Sequence, residues 1–80
     1  MRFAWDEKKA SINLIKHGIS FEEAATVFGD PLSDTFPDSD IGLAESGKIL
    51  VVAHTDDGDL VRLISAREAT LGERKSYEKN

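Results

Sequence analysis

Arg62, Arg67, Glu73, Arg74 and Tyr77 fall close together in the last third of the 80-residue chain. An arginine suits a phosphate because its planar guanidinium donates two parallel hydrogen bonds and keeps its charge. Cleaving a phosphodiester without a metal needs a group that takes the proton from the attacking hydroxyl. It also needs positive charge on the phosphate in the transition state and a donor for the leaving oxygen. Arg67 and Arg74 are the candidate phosphate ligands, Glu73 is a candidate base, and Arg62 and Tyr77 are candidate contacts to the rest of a phosphate-bearing ligand. Lys16 and His17 offer a second pair, an ammonium for phosphate and a proton donor near neutral pH. Each has a plainer reading. The arginines can pair with Glu68, Glu73 and Glu78 on a solvated surface, Glu73 can cap a helix, Lys16 and His17 can complement a helix C-terminus, and Tyr77 can pack onto Trp5 or the sheet. His54, at a strand end, reads as a surface histidine. Ser65 has no histidine–acid pair beside it to make it a nucleophile, and no motif points to a metal or organic cofactor.

The elements that must carry these groups change period along the chain. Asp6 is placed to cap a helix that Gly18 stops. Trp5, Ile12 and Ile15, with Ala4, Ala10 and Leu14, form its expected apolar stripe, leaving Lys8, Lys9 and Asn13 outside. Ser20 to Glu23 reads as a capping box for a second helix ending at Gly29-Asp30-Pro31, so the two helices make a hairpin. Leu32 to Phe36 is a weak edge strand stopped by Pro37, Pro37 to Asp40 a polar turn, and Ile41 to Ala44 a very short strand. Lys48 to Thr55 is the strongest strand. Asp57-Gly58 is the best hairpin turn, and it would set Ile49, Val51 and Ala53 on one face with Ala66 and Ile64, and Leu50, Val52 and His54 on the other with Ser65 and Leu63. In a regular strand Arg62 and Arg67 would point to opposite faces; only a bulge or an early strand end brings them together. Thr70 to Glu73 is a second capping box, opening a helix that runs towards Tyr77. The expected fold is a single α+β domain over residues 1–80: an N-terminal helical hairpin, a small antiparallel sheet of three to four strands, and a C-terminal helix.

Composition limits the function. A chain this short has a small core, and without cysteine or a Cys/His cluster it has no disulfide or structural zinc to add, so homo- or hetero-oligomerisation is expected. Fifteen acidic residues against ten basic give a net charge of −5, which argues against a general nucleic-acid coat. The apolar residues Phe3 to Trp5 lead straight into Asp6-Glu7-Lys8-Lys9, with no signal-peptide centre and no membrane span, so a cytoplasmic protein is expected.

Trp5-Asp6, Asn13, Lys16 to Ala24, Val27-Phe28, Asp30-Pro31, Leu50 to Val52, His54-Thr55, Arg62 to Arg67, Ala69-Thr70, Glu73-Arg74 and Tyr77, taken in order, resemble the BrnT family of toxins. That resemblance covers essentially the whole chain. It implies a bacterial type II toxin–antitoxin module and a fold related to RelE-type ribonucleases. It further implies metal-independent RNA cleavage that inhibits translation, with Arg62 and Tyr77 as RNA contacts, and neutralisation by a BrnA-like antitoxin through which alone operator DNA is bound. Family members usually carry a longer middle, whereas here Asp40 runs straight into Ile41, and they often have arginine in the turn occupied by Asp56-Asp57-Gly58. A second function class follows from those departures: an antitoxin-binding module without ribonuclease activity.

Overall fold

The computed structural model describes residues 1–36 and 39–79. The strong strand signal forms β4 (Ile49–Asp57), and the arginine-bearing segment forms β5 (Leu60–Glu68). With β1 (Arg2–Ala4), β2 (Asp34–Phe36) and β3 (Ser39–Leu43) they make a five-stranded mixed sheet of order β1-β5-β4-β3-β2. The expected antiparallel sheet of three to four strands is thus one strand short. The missing member is β1, which runs parallel to β5 with Arg2 opposite Leu60 and Ala4 opposite Arg62. Three residues carry no alternation of their own, so it is pairing with β5 that makes this segment a strand. Ser39 and Asp40 belong to β3 and not to a turn; the rest of that expected turn, Pro37 and Asp38, lies outside the described residues.

The hairpin joining β4 to β5 also differs from expectation. Asp57 pairs with Leu60, so Gly58 and Asp59 form the turn. Gly58 takes φ 62° and no non-glycine residue has positive φ among those described, the pattern of a II′ turn with glycine first. Further along, His54 pairs with Leu63 but Ala53 with Ser65, which leaves Ile64 as a β-bulge. The shifted register and the bulge redistribute the faces. Ala66 joins Leu50, Val52 and Leu63 on the buried side, while Ser65, opposite Ala53, moves to the other.

That buried side is the core, closed by Ile19, Phe21, Ala24 and Val27. These come from the Gly18–Ser20 connection, from α2 (Phe21–Ala25) and from a 3-10 turn (Thr26–Gly29). The second helix is therefore one short α segment finished by a 3-10 turn, and the expected helical hairpin is only partly formed. Ser20 caps it by accepting from the Glu23 amide at 3.0 Å, but the Glu23 carboxylate accepts from Ser46 Oγ, so the box is half made.

The first helix, α1 (Glu7–His17), has the foreseen caps: Asp6 accepts from the Lys8 amide at 2.8 Å, and Gly18 ends the helix at φ 71°. Trp5 and Ala10 pack against the core and Lys8 and Lys9 face out as expected, but the rest of the stripe differs. Asn13 is buried, whereas Ile12, Leu14 and Ile15 are exposed. The reason is polar. Asn13 Nδ2 donates to the carbonyls of Ile19 and Ala66, both at 2.9 Å, and Oδ1 accepts from the Ala66 amide at 3.0 Å. One side chain ties α1 to β5 and to the following connection, and its needs override the hydrophobic stripe.

On β3, Gly42 faces the 3-10 turn at close range. A Cβ there would meet Ser33 Cβ and Val27 Cγ1, each at 2.9 Å. Gly42→Ala is expected to cost about 1–3 kcal/mol through overpacking, read as a lowered denaturant midpoint with an unchanged slope.

Candidate functional site

The sheet face opposite the core is where the arginines meet. Arg67 pairs with Val51, Ser65 with Ala53 and Arg62 with Thr55, so the bulge at Ile64 brings Arg62 and Arg67 onto one face despite their odd spacing. The last helix, α3 (Leu71–Glu78), lies over this face. Its capping box forms as expected: Thr70 Oγ1 accepts from the Glu73 amide at 3.2 Å, and the Glu73 carboxylate accepts from the Thr70 amide at 2.9 Å.

Glu73 does a second job. Arg67 Nη1 and Nη2 donate to its two oxygens at 2.8 and 3.0 Å, a bidentate fork in which neither side chain is deeply buried. The fork uses the end of the guanidinium. Nη1 also donates weakly to the Glu68 carbonyl at 3.3 Å, and among the described residues Nε makes no hydrogen bond. The side-on edge, Nε with the second Nη2 hydrogen, therefore has no hydrogen-bond partner among the described residues. Hydrogen bonding from Arg67 holds the Glu73 carboxyl at about 2, and the same contact raises the guanidinium further. A carboxylate held that low binds a proton poorly at neutral pH; its visible work is to orient Arg67 and cap α3.

Tyr77 donates its hydroxyl to Asp30, whose other oxygen accepts from the Leu32 amide at 2.9 Å; the oxygen facing Tyr77 also accepts from the Leu43 amide at 2.8 Å. Burial pushes the Asp30 carboxyl up, but the hydrogen bonds from Tyr77, Leu43 and Leu32 outweigh it and hold it below the usual range. The hydrogen bond to Asp30 raises the Tyr77 phenol to about 12. The tyrosine therefore reaches the sheet side of the molecule. Trp5 is engaged elsewhere, donating to Glu7 and meeting Phe21 edge-on.

Between α3 and the sheet lies a cleft of about 140 Å³ lined by Asp34, Phe36, Ser39, Ile41, Val51, Glu73, Ser76 and Tyr77. It is small against pockets that enclose a whole ligand, so it fits part of a chain laid across it. Glu73 and Tyr77 thus line one cleft, Arg67 is joined to it through its fork with Glu73, and Arg62 lies on the same sheet face as Arg67. Arg74 points to a neighbouring groove shared with Gly47, Lys48, Ile49 and Glu68. Lys16 and His17 end α1, in the layer that covers the opposite face. Sequence reasoning missed Asp30, Asp34 and Phe36, because only the tertiary fold brings them beneath α3.

His54 is a correction. It is buried, with Nε2 3.3 Å from Asp40 and Nδ1 3.1 Å from Asp56, and it meets Phe28 edge-on at 5.1 Å. Its place opposite Leu63, on the core side of β4, explains the burial. Among the described residues no group of acidic and histidine side chains is arranged to hold a metal ion. None of their helices is long and apolar enough to cross a membrane.

The two ion-paired or hydrogen-bonded links of α3 give it a pH window. Glu73 is depressed in the folded chain, so its contribution is complete above its ordinary value of 4.5 and is lost as pH falls towards about 2. Tyr77 is raised, so its contribution is complete below its ordinary value of 10.0 and is lost as pH climbs towards about 12. Solvent screening of the partly exposed Arg67–Glu73 pair limits the acid loss to about 1 kcal/mol. Absorbance titration of the one tyrosine is expected to show ionisation delayed well past its ordinary value, and Asp30→Asn to bring it back towards that value.

Three helices and a five-stranded mixed sheet, with a cleft under the last helix beside the arginine-bearing end of β5, define a small α+β protein. The fold matches the crystal structure of the Brucella abortus ribonuclease toxin, BrnT, with a TM-score of 0.73 and 27% identity over 88% of this chain and 97% of that one. The family model for the ribonuclease toxin BrnT of type II toxin–antitoxin systems matches residues 5–73, and the chain belongs to that family. No curated protein matches it.

Proposed function

We propose that this chain is the toxin of a type II toxin–antitoxin module, cleaving RNA without a metal and so inhibiting translation in the cytoplasm until its antitoxin binds. The observation that carries this reading is the convergence of Arg62 and Arg67 on one sheet face beside the α3 cleft, in a chain of the BrnT family. Attack by the ribose 2′-hydroxyl on its own phosphate asks for positive charge and proton transfer, which side chains can supply. Arg67 would take a phosphate on its unpaired Nε–Nη2 edge while Glu73 holds the guanidinium in place from its other end. Arg62 would grip the neighbouring backbone, Tyr77 would line the base or sugar, and Arg74 would meet the strand beyond the cleft. Lys16 and His17 stand outside this arrangement. Operator DNA would be bound by the antitoxin alone.

The antitoxin-binding module without nuclease activity is the weaker reading, because the family that matches is one of ribonuclease toxins. Inducing the chain in cells that lack the antitoxin is expected to arrest growth and fragment RNA. Purified protein should cut RNA equally well in excess chelator. Intact RNA and normal growth would leave only the binding module, and cleavage abolished by chelator would remove the metal-free mechanism.

A further inference from the structure

We propose that the outward face of α1 is the docking surface for an acidic amphipathic helix of the antitoxin, an inference that rests on the toxin reading for the partner's identity but not on RNA cleavage. Asn13 and Ala10 are the residues α1 turns toward the protein, so Ile12, Leu14 and Ile15 are left outside together with the helix's lysines. Ile15 is 87% exposed, Ile12 56% and Leu14 51%. Lys8, Ile12 and Ile15 follow one another at helical spacing and share a face, with Lys16 one turn beyond Ile12.

The charge on this face identifies the kind of partner. Residues 8–17 contain Lys8, Lys9, Lys16 and His17 and no acidic side chain, in a chain whose acidic residues outnumber its basic ones by fifteen to ten. An apolar strip edged by lysines is complementary to a helix with aliphatic anchors flanked by carboxylates. In a second copy of this chain the same face carries the like charges of Lys8, Lys9 and Lys16, and the nearest acids, Glu7 and Glu22, lie at its edge beside Leu14. RNA would satisfy the lysines but leave Ile12, Leu14 and Ile15 without a partner, since aliphatic side chains offer bases no stacking surface.

The test uses the full-length chain with Ile12→Glu and Ile15→Glu together, and separately Lys8→Glu as a charge-only variant. All three positions are exposed, so thermal melts should match the wild type. The double variant is expected to lose co-purification with the antitoxin, with Kd raised about a hundredfold. It should stay toxic and escape rescue when the antitoxin is co-expressed. Lys8→Glu should weaken binding less, with a flatter salt dependence than the wild type. Wild-type affinity in the double variant overturns the proposal. So does lost RNA cleavage with antitoxin binding intact, which would give the face to RNA, and so does a dimer broken by the double variant with antitoxin binding unchanged. If neither the wild type nor the variant harms cells, the ribonuclease reading falls while the affinity measurement still decides the docking face.

Discussion

Arg67→Ala is expected to cut RNA about a hundredfold to a thousandfold more slowly than the wild type, the usual loss when one donor aimed at transition-state charge is removed. The loss should appear in kcat more than in KM, because the guanidinium is asked to hold charge that develops as the phosphate reacts. Arg67→Lys should recover little of it. A lysine keeps the charge but not the two-edged plane that lets Glu73 grip one side while a phosphate occupies the other. Glu73→Gln separates orientation from proton transfer. A glutamine can still cap α3 and accept one hydrogen bond from Arg67, so a modest loss with an unchanged pH profile marks Glu73 as a positioning residue. A collapse to the Arg67→Ala level with a changed acid limb would mark it as the base. Single-turnover cleavage of one RNA across pH reads all three variants, and an Arg67→Ala rate equal to the wild type would remove this arginine from the mechanism.

Asn13→Asp is expected to leave little folded protein at growth temperature. The Nδ2 group of Asn13 feeds two backbone carbonyls, those of Ile19 and Ala66. A carboxylate there would face both carbonyl oxygens inside the protein with no cation beside it. Lost donors and an uncompensated buried charge together cost about 3–5 kcal/mol, comparable with the whole stability of a domain this small. Asn13→Ala should cost about 1–3 kcal/mol, since it orphans the same backbone groups without adding charge. Denaturant unfolding gives the energies, and amide exchange at Ala66 should report the local loosening first. A melting temperature for Asn13→Asp within a few degrees of the wild type would show that this side chain is not the tie described.

What could be read from the sequence was local chemistry. The caps at Asp6, Gly18, Ser20 and Thr70, and the Thr70–Glu73 box, depend on groups within four residues of one another, and the structure makes each of these links. What failed depended on distant partners. Asn13 faces inward because of a strand more than fifty positions away, so the hydrophobic spacing of Ile12 and Ile15 misled. The bulge at Ile64 carries no glycine or proline to announce it, and the convergence of Arg62 and Arg67 was legible only as a condition. The link from Tyr77 to Asp30 joins side chains separated by 47 positions, beyond any periodic pattern.

The parallel pairing of β1 with β5 has a kinetic consequence. Residues 2–4 find their partners only after residues 60–62 are available, so this edge of the sheet closes one of the longest loops the chain can form. Loop-closure entropy falls on that step before any contact repays it, which slows folding relative to a helical protein of equal size. In a cell, the sheet stays incomplete while most of the chain is being synthesised. Residues 2–4 meanwhile wait without their strand partner, since β5 is among the last segments to be made.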